Sequence, residues 1–67
     1  MLRIEINTEN AAFRNEFTGE PDDYSKAMEI ARIINHQVLP AINNLNFTIN
    51  LMDINGNRVG KMEEVVL

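Results

Sequence analysis

The chain has 67 residues, a net charge of −4 and no cysteine, which excludes disulfide staples and thiolate metal centres. One domain fits this length, and a domain so small buries only about 60% of the surface its unfolded chain exposes, leaving little interior for a walled reaction chamber. Ten acidic residues against six scattered basic ones argue against gripping a phosphate backbone, and no apolar run approaches the roughly 18 residues of a membrane span.

The opening residues, Met1-Leu2-Arg3-Ile4-Glu5, lack the basic region, apolar block and cleavage site of an export signal, so the cytosol is the expected compartment. Leu2, Ile4 and Ile6 alternate with Arg3, Glu5 and Asn7. That period of two predicts a strand with one face on a core. Thr8 to Gly19 follows no period; Phe13 and Phe17 stand in it among polar residues. They read either as rings that pin a loop to the core or as a grip for a partner.

Pro21-Asp22-Asp23 announces a helix, with proline suited to the first helical position and the aspartates to the positive end of the dipole. Tyr24, Ala27, Met28, Ala31, Ile34 and Val38 recur at intervals of three and four, giving an apolar stripe. Ile30 and Ile33 widen it, which leaves an apolar edge for a broad sheet or a partner. Lys26, Glu29, Arg32 and Asn35 lie on the other side, Glu29 in reach of Arg32 or Lys26 for a loose pair. Pro40 cannot continue a regular helix, so an end or kink is predicted near Val38.

Phe47, Ile49 and Leu51 alternate with Thr48, Asn50 and Met52, and Asn55-Gly56 follows. Asn-Gly between two strand-like runs predicts a hairpin with a type I′ turn. A two-residue turn sets Asp53 opposite Arg58 as a cross-strand charge pair, Leu51 opposite Gly60 and Ile49 opposite Met62. Val65-Val66-Leu67 is apolar on both faces, and reads as a strand end or as a segment that pairs with another chain.

The candidate chemical motifs are weak. Asp53, Asn55, Asn57 and Glu64 carry the oxygen spacing of a calcium loop, but Arg58 stands where that loop needs glycine, and a hairpin turn explains the same residues better. His36, the lone histidine, has no second ligand of its kind and sits near a helix end, where a cation meets the negative pole. Asp22-Asp23 and Glu63-Glu64 are paired carboxylates on a helix start and a strand, not in a cleft that would split their pKa values. No catalytic residues, metal ligands or cofactor-binding residues are assigned, and no enzymatic activity is expected.

Three blocks carry a resemblance: Asn10-Ala11-Ala12-Phe13, Glu29-Ile30-Ala31-Arg32-Ile33-Ile34, and Asp53-Ile54-Asn55-Gly56-Asn57-Arg58-Val59-Gly60. Together they resemble the small uncharacterised proteins common in phage and prophage genomes. The chain departs from them at Pro21-Asp22-Asp23-Tyr24, at Pro40 and near Met62, where an aromatic residue would be expected. The resemblance implies phage origin, a host bacterial cytoplasm and, by analogy, binding of host or phage proteins, a bacterial defence component among them.

The expected fold is α+β: a β-α-β-β chain with one main helix packed on a three-stranded antiparallel sheet of order 2-3-1. Leu2, Ile4, Ile6, Met28, Ile34, Phe47, Ile49 and Leu51 should form the core. The expected function is a non-catalytic interaction module that binds a host protein through residues among Phe13, Phe17, Ile30, Ile33, Val65, Val66 and Leu67. The alternative is a self-associating accessory protein that uses its tail or a strand edge, with metal or small-ligand binding behind both.

Overall fold

The structure, a computed structural model, describes residues 1–66. Leu67 of the apolar tail lies outside the described residues. Strand β1 spans Leu2–Ile6, helix α1 Asp23–Ile33, helix α2 Leu39–Asn43, strand β2 Ile49–Met52 and strand β3 Arg58–Glu64. A 3₁₀ turn, Ala11–Phe13, precedes α1, and a π turn, Ile34–Val38, joins the two helices. The sheet is antiparallel throughout, in the order β1-β3-β2, the order expected from the handedness of the helical crossover.

The helix begins two residues later than expected. Asp22 is its N-cap and accepts from the Tyr24 and Ser25 amides, so Pro21 stands outside and pairs with Arg14 across a short bridge. At the other end the path does not break. The Leu39 amide reaches back five residues to the Ile34 carbonyl, and this wider turn makes room for the Pro40 ring, which would strike the His36 carbonyl of a regular helix. The helical run therefore continues to Asn43, about 30 Å at 1.5 Å per residue. It stretches the molecule to 41 × 22 × 18 Å.

The core is Phe13, Ile33, Val38, Leu51, Val59 and Met62, with Ile6, Ile30, Ile34, Ala41, Ile42 and Ile49 packed around it. Several expected core residues are displaced. Leu51 is fully buried and Ile6, Ile34 and Ile49 partly so, but Leu2, Ile4, Met28 and Phe47 remain exposed. The helix is rotated: Ile30, Ile33 and Val38 turn inward and carry Glu29 with them, while Tyr24, Ala27, Met28 and Ala31 face solvent. Along β1, coverage increases only toward Ile6, so Leu2 and Ile4 share the inner face of the sheet without being covered.

The hairpin differs from a two-residue turn. Asp53 N–H donates to the Asn57 carbonyl at 2.8 Å and Gly56 N–H to the Asp53 carbonyl at 3.0 Å. Within this loop Gly56 alone has positive φ, at 83°. The loop is thus Ile54-Asn55-Gly56 with a bulge, the common three-residue solution. Ile49 does face Met62 and Leu51 does face Gly60, but the register shifts beyond Leu51 and sets Met52 against Arg58. The predicted Asp53–Arg58 pair does not form, because the bulge turns Asp53 into the protein.

Gly60 marks where β1 comes closest. A methyl group there would lie 1.9 Å from the Glu5 carbonyl oxygen, a backbone atom that cannot swing away. Gly60→Ala should therefore split β1 from β3 and cost about 1–3 kcal/mol or more. Leu51→Ala should cost about 2–5 kcal/mol, out of a total stability of roughly 3–10 kcal/mol for this length. Urea unfolding followed by circular dichroism measures both, and a wild-type midpoint for Gly60→Ala would refute the close approach.

Candidate functional site

Two buried carboxylates tie the elements together. Asp53 accepts from the Asn10 side-chain amide at 2.8 Å, from the Asn55 and Asn57 backbone amides at 2.9 and 2.8 Å, and from the Asn57 side chain at 3.3 Å. Asn10 in turn caps the 3₁₀ turn by accepting from the Ala12 amide. One carboxylate therefore shapes the hairpin and fastens it to the loop after β1. Burial pushes the Asp53 pKa up, but the hydrogen bonds from Asn57, Asn10 and Asn55 outweigh it and hold the carboxyl below its ordinary 3.8.

Glu29 does the same from the helix. It receives the Arg32 guanidinium and the Ile54 amide, the latter at 2.9 Å, while Arg32 also reaches the Met52 carbonyl. Gln37 completes the attachment: its amide donates to the Met52 carbonyl at 2.7 Å and accepts from the Met52 amide at 2.8 Å. The side chain thus replaces a strand partner along the outer edge of β2. The expected loose surface pair of Glu29 and Arg32 is in fact a buried clamp.

Between these attachments lies an open cleft of about 620 Å³, walled by the loop after the 3₁₀ turn, the start of α1 and the hairpin loop. Phe17, Tyr24, Met28 and Ile54 line it and are 89, 72, 56 and 66% exposed. Phe17 does not dangle. Asn15 Oδ1 accepts from the Phe17 and Thr18 amides, the Gly19 amide bonds back to the Asn15 carbonyl, and Gly19 takes the positive φ of 73° that closes the turn. A built turn holds the ring out in water.

Asp22 sits on the rim. The Ser25 hydroxyl at 2.7 Å and the Ser25 and Tyr24 amides keep its carboxyl ionised below the usual range, against the opposing effect of burial. Ser25 Oγ thus serves the helix cap. His36 is exposed on the π turn, and Glu64 lies opposite Leu2, at the far end of β3 from Asp53. The oxygens of the calcium-like pattern are therefore not brought together; both Asp53 oxygens already accept N–H groups.

The residues singled out as interaction candidates divide. Phe17 projects into solvent and Val66 is exposed; Ile30 and Val65 are partly covered, Val65 bonding to Met1 at 2.8 Å. Phe13 and Ile33 are taken up by the core. Tyr24, Met28 and Ile54 were missed as surface residues. A usable signal existed: the Ile30-Ile33-Ile34-Val38 face is far more aliphatic than the Tyr24-Ala27-Met28-Ala31 face. The segments 10–13, 29–34 and 53–60 also meet here, through Asn10 with Asp53 and Glu29 with Ile54.

No family model, curated protein or solved structure matches the chain.

Because Asp53 is held below its unfolded value, its ionised form stabilises the fold above about pH 4, and that contribution is lost as acid carries the solution down through the lowered pKa. Asp53→Asn should lower the thermal midpoint at neutral pH by more than about 5 °C and flatten the fall of the midpoint between about pH 5 and pH 3. Thermal scans across that range decide it; an unchanged acid profile in the variant would remove Asp53 from this role.

Proposed function

We propose that the chain is a non-catalytic protein-interaction module, carried by a phage or prophage, that binds a bacterial host protein through the cleft and blocks or redirects it, a defence protein being the expected class. The observation that supports this reading most directly is the set of four large apolar side chains, Phe17, Tyr24, Met28 and Ile54, held in water around one depression. Aromatic residues and methionine are enriched at protein interfaces, where they bury much area at little entropic cost. A cleft formed by hydrogen-bonded turns is also set before its partner arrives, which saves ordering entropy.

The charges point to the chemistry of the partner. Glu16 and Asp22 line the cleft with Arg14 and the Glu29–Arg32 pair, an excess of one acidic group, and the whole chain carries −4. An apolar anchor flanked by lysine or arginine would meet both features. The polar side chains of the cleft are engaged in holding the fold: the Ser25 hydroxyl donates to Asp22, the N-cap of α1, and Glu29 receives Arg32 and the Ile54 amide. The residues at hand can bind and exclude water.

The test is capture of a bacterial protein on the immobilised chain, repeated with Phe17→Ser and Ile54→Ser combined. Both residues are exposed, so the variant should keep the wild-type thermal midpoint. It should weaken binding at least about 30-fold, as removal of interface anchors does. Equal retention by wild type and variant, or no specific retention by either, would overturn the reading.

A further inference from the structure

The two outer strands of the sheet are finished differently. On β2 the outward backbone groups of Met52 are occupied by Gln37 and the Ile54 amide by Glu29. On β1 nothing does this among the described residues. Met1 and Val65 exchange both backbone bonds, and the Asn7 amide bonds the Val59 carbonyl. The odd-numbered residues of β1 therefore face β3, and the N–H and C=O groups of Leu2, Ile4 and Ile6 point outward. An open strand edge of this kind is a template for another strand.

We propose that the chain forms a two-fold dimer in which β1 pairs antiparallel with β1 of a second copy, with Ile4 on the axis. The occupant follows from the pattern Leu2-Arg3-Ile4-Glu5-Ile6, which complements itself. With Ile4 opposite Ile4, Leu2 meets Ile6 of the second copy on the inner face, and Arg3 meets Glu5 of the second copy on the outer face, twice over. The neighbouring registers fail. Centring on residue 3 sets arginine against arginine, and centring on residue 5 sets glutamate against glutamate, both unfavourable when directly opposed.

The inner face gives a second reason. Leu2 and Ile4, 43 and 41% exposed, share that face with buried Met62. A second copy related by an axis normal to the sheet places its own Leu2, Ile4 and Ile6 against them on the same side. The result is a continuous sheet of six strands with an apolar seam between two helices. Arg3 and Glu5 normally guard such an edge against unspecific pairing; in this one register they select the partner. The proposal does not rest on the cleft, whose residues lie away from this edge.

Sedimentation equilibrium at high micromolar concentration should give twice the chain mass of 7.7 kDa, and a mass of one chain throughout would overturn the proposal. Arg3→Glu combined with Glu63→Lys, which keeps opposite charges facing each other within the chain, should weaken the dimer at least about tenfold, and adding Glu5→Arg with Lys61→Glu should restore it, with circular dichroism confirming the fold in each. The register has its own test, since the natural chain has no cysteine. Directly opposed residues of this type sit with Cα atoms about 4.5 Å apart, within disulfide range. On mild oxidation, a mixture of the Arg3→Cys and Glu5→Cys proteins should cross-link, while neither alone should. Cross-linking within either single variant, or none in the mixture, would refute pairing about Ile4. The combined Phe17→Ser and Ile54→Ser variant should keep the dimer mass, so failure of the cleft and failure of the dimer are distinguishable.

Discussion

Glu29 sets which way the helix faces. A carboxylate on a helix of this length would ordinarily stay in water, since burying an unpaired charge is prohibitive. Here the Arg32 guanidinium and the Ile54 amide receive it, and the buried charge becomes tolerable because every strong acceptor on it is used. Once Glu29 is under the hairpin, helical geometry carries Ile30, Ile33 and Val38 inward as well. Tyr24 and Met28 have no choice but to face out. The cleft exists because of that rotation, and so does the covered outer edge of β2, where Gln37 comes into line with Met52.

The polar residues of this protein mostly hold backbone in place. Asp53 closes the hairpin and holds Asn10; Asn10 caps the 3₁₀ turn; Asn15 builds the turn beneath Phe17; Asp22 caps α1. For a chain of 67 residues this is a physical necessity as much as a style. Six core side chains supply limited hydrophobic stabilisation, and short polar side chains that satisfy otherwise orphaned amides replace a larger interior. The same arrangement leaves these carboxylates and amides committed to holding backbone.

What is left over is apolar surface. A core of this size cannot cover all the large apolar residues the chain carries. Of the uncovered ones, Phe17, Tyr24, Met28 and Ile54 gather around the cleft and Leu2 and Ile4 flank the open edge of β1, while Leu39, Leu45, Phe47 and Met52 stand apart from both. Clustered apolar groups rimmed by charge are what recognition surfaces look like, whereas single exposed ones mean little. The two clusters use different physics. The cleft offers shape and side-chain contact; the strand edge offers a ladder of backbone hydrogen bonds whose register is selected by charge.

Much of this was legible in the amino-acid order, because it depends on neighbours a few positions apart. The alternation of Leu2, Ile4 and Ile6, a helix start at Pro21-Asp22-Asp23, a hairpin at Asn55-Gly56 and the pairings of Ile49 with Met62 and Leu51 with Gly60 are read from near neighbours, and with the handedness of crossovers they give the α+β fold and the strand order. The rotation of the helix was not legible. Two apolar faces share its surface, and periodicity alone cannot rank them; the Glu29 bond to Ile54, 25 residues away, does. Likewise Asp53 could face Arg58 across the hairpin or Asn10, 43 residues back, and the bulge decides for Asn10. Phe13 inside and Phe17 outside, the approach of β1 that only Gly60 permits, and the apolar side chains left exposed around the cleft and along β1 all follow from contacts between distant segments, which tertiary structure alone brings together.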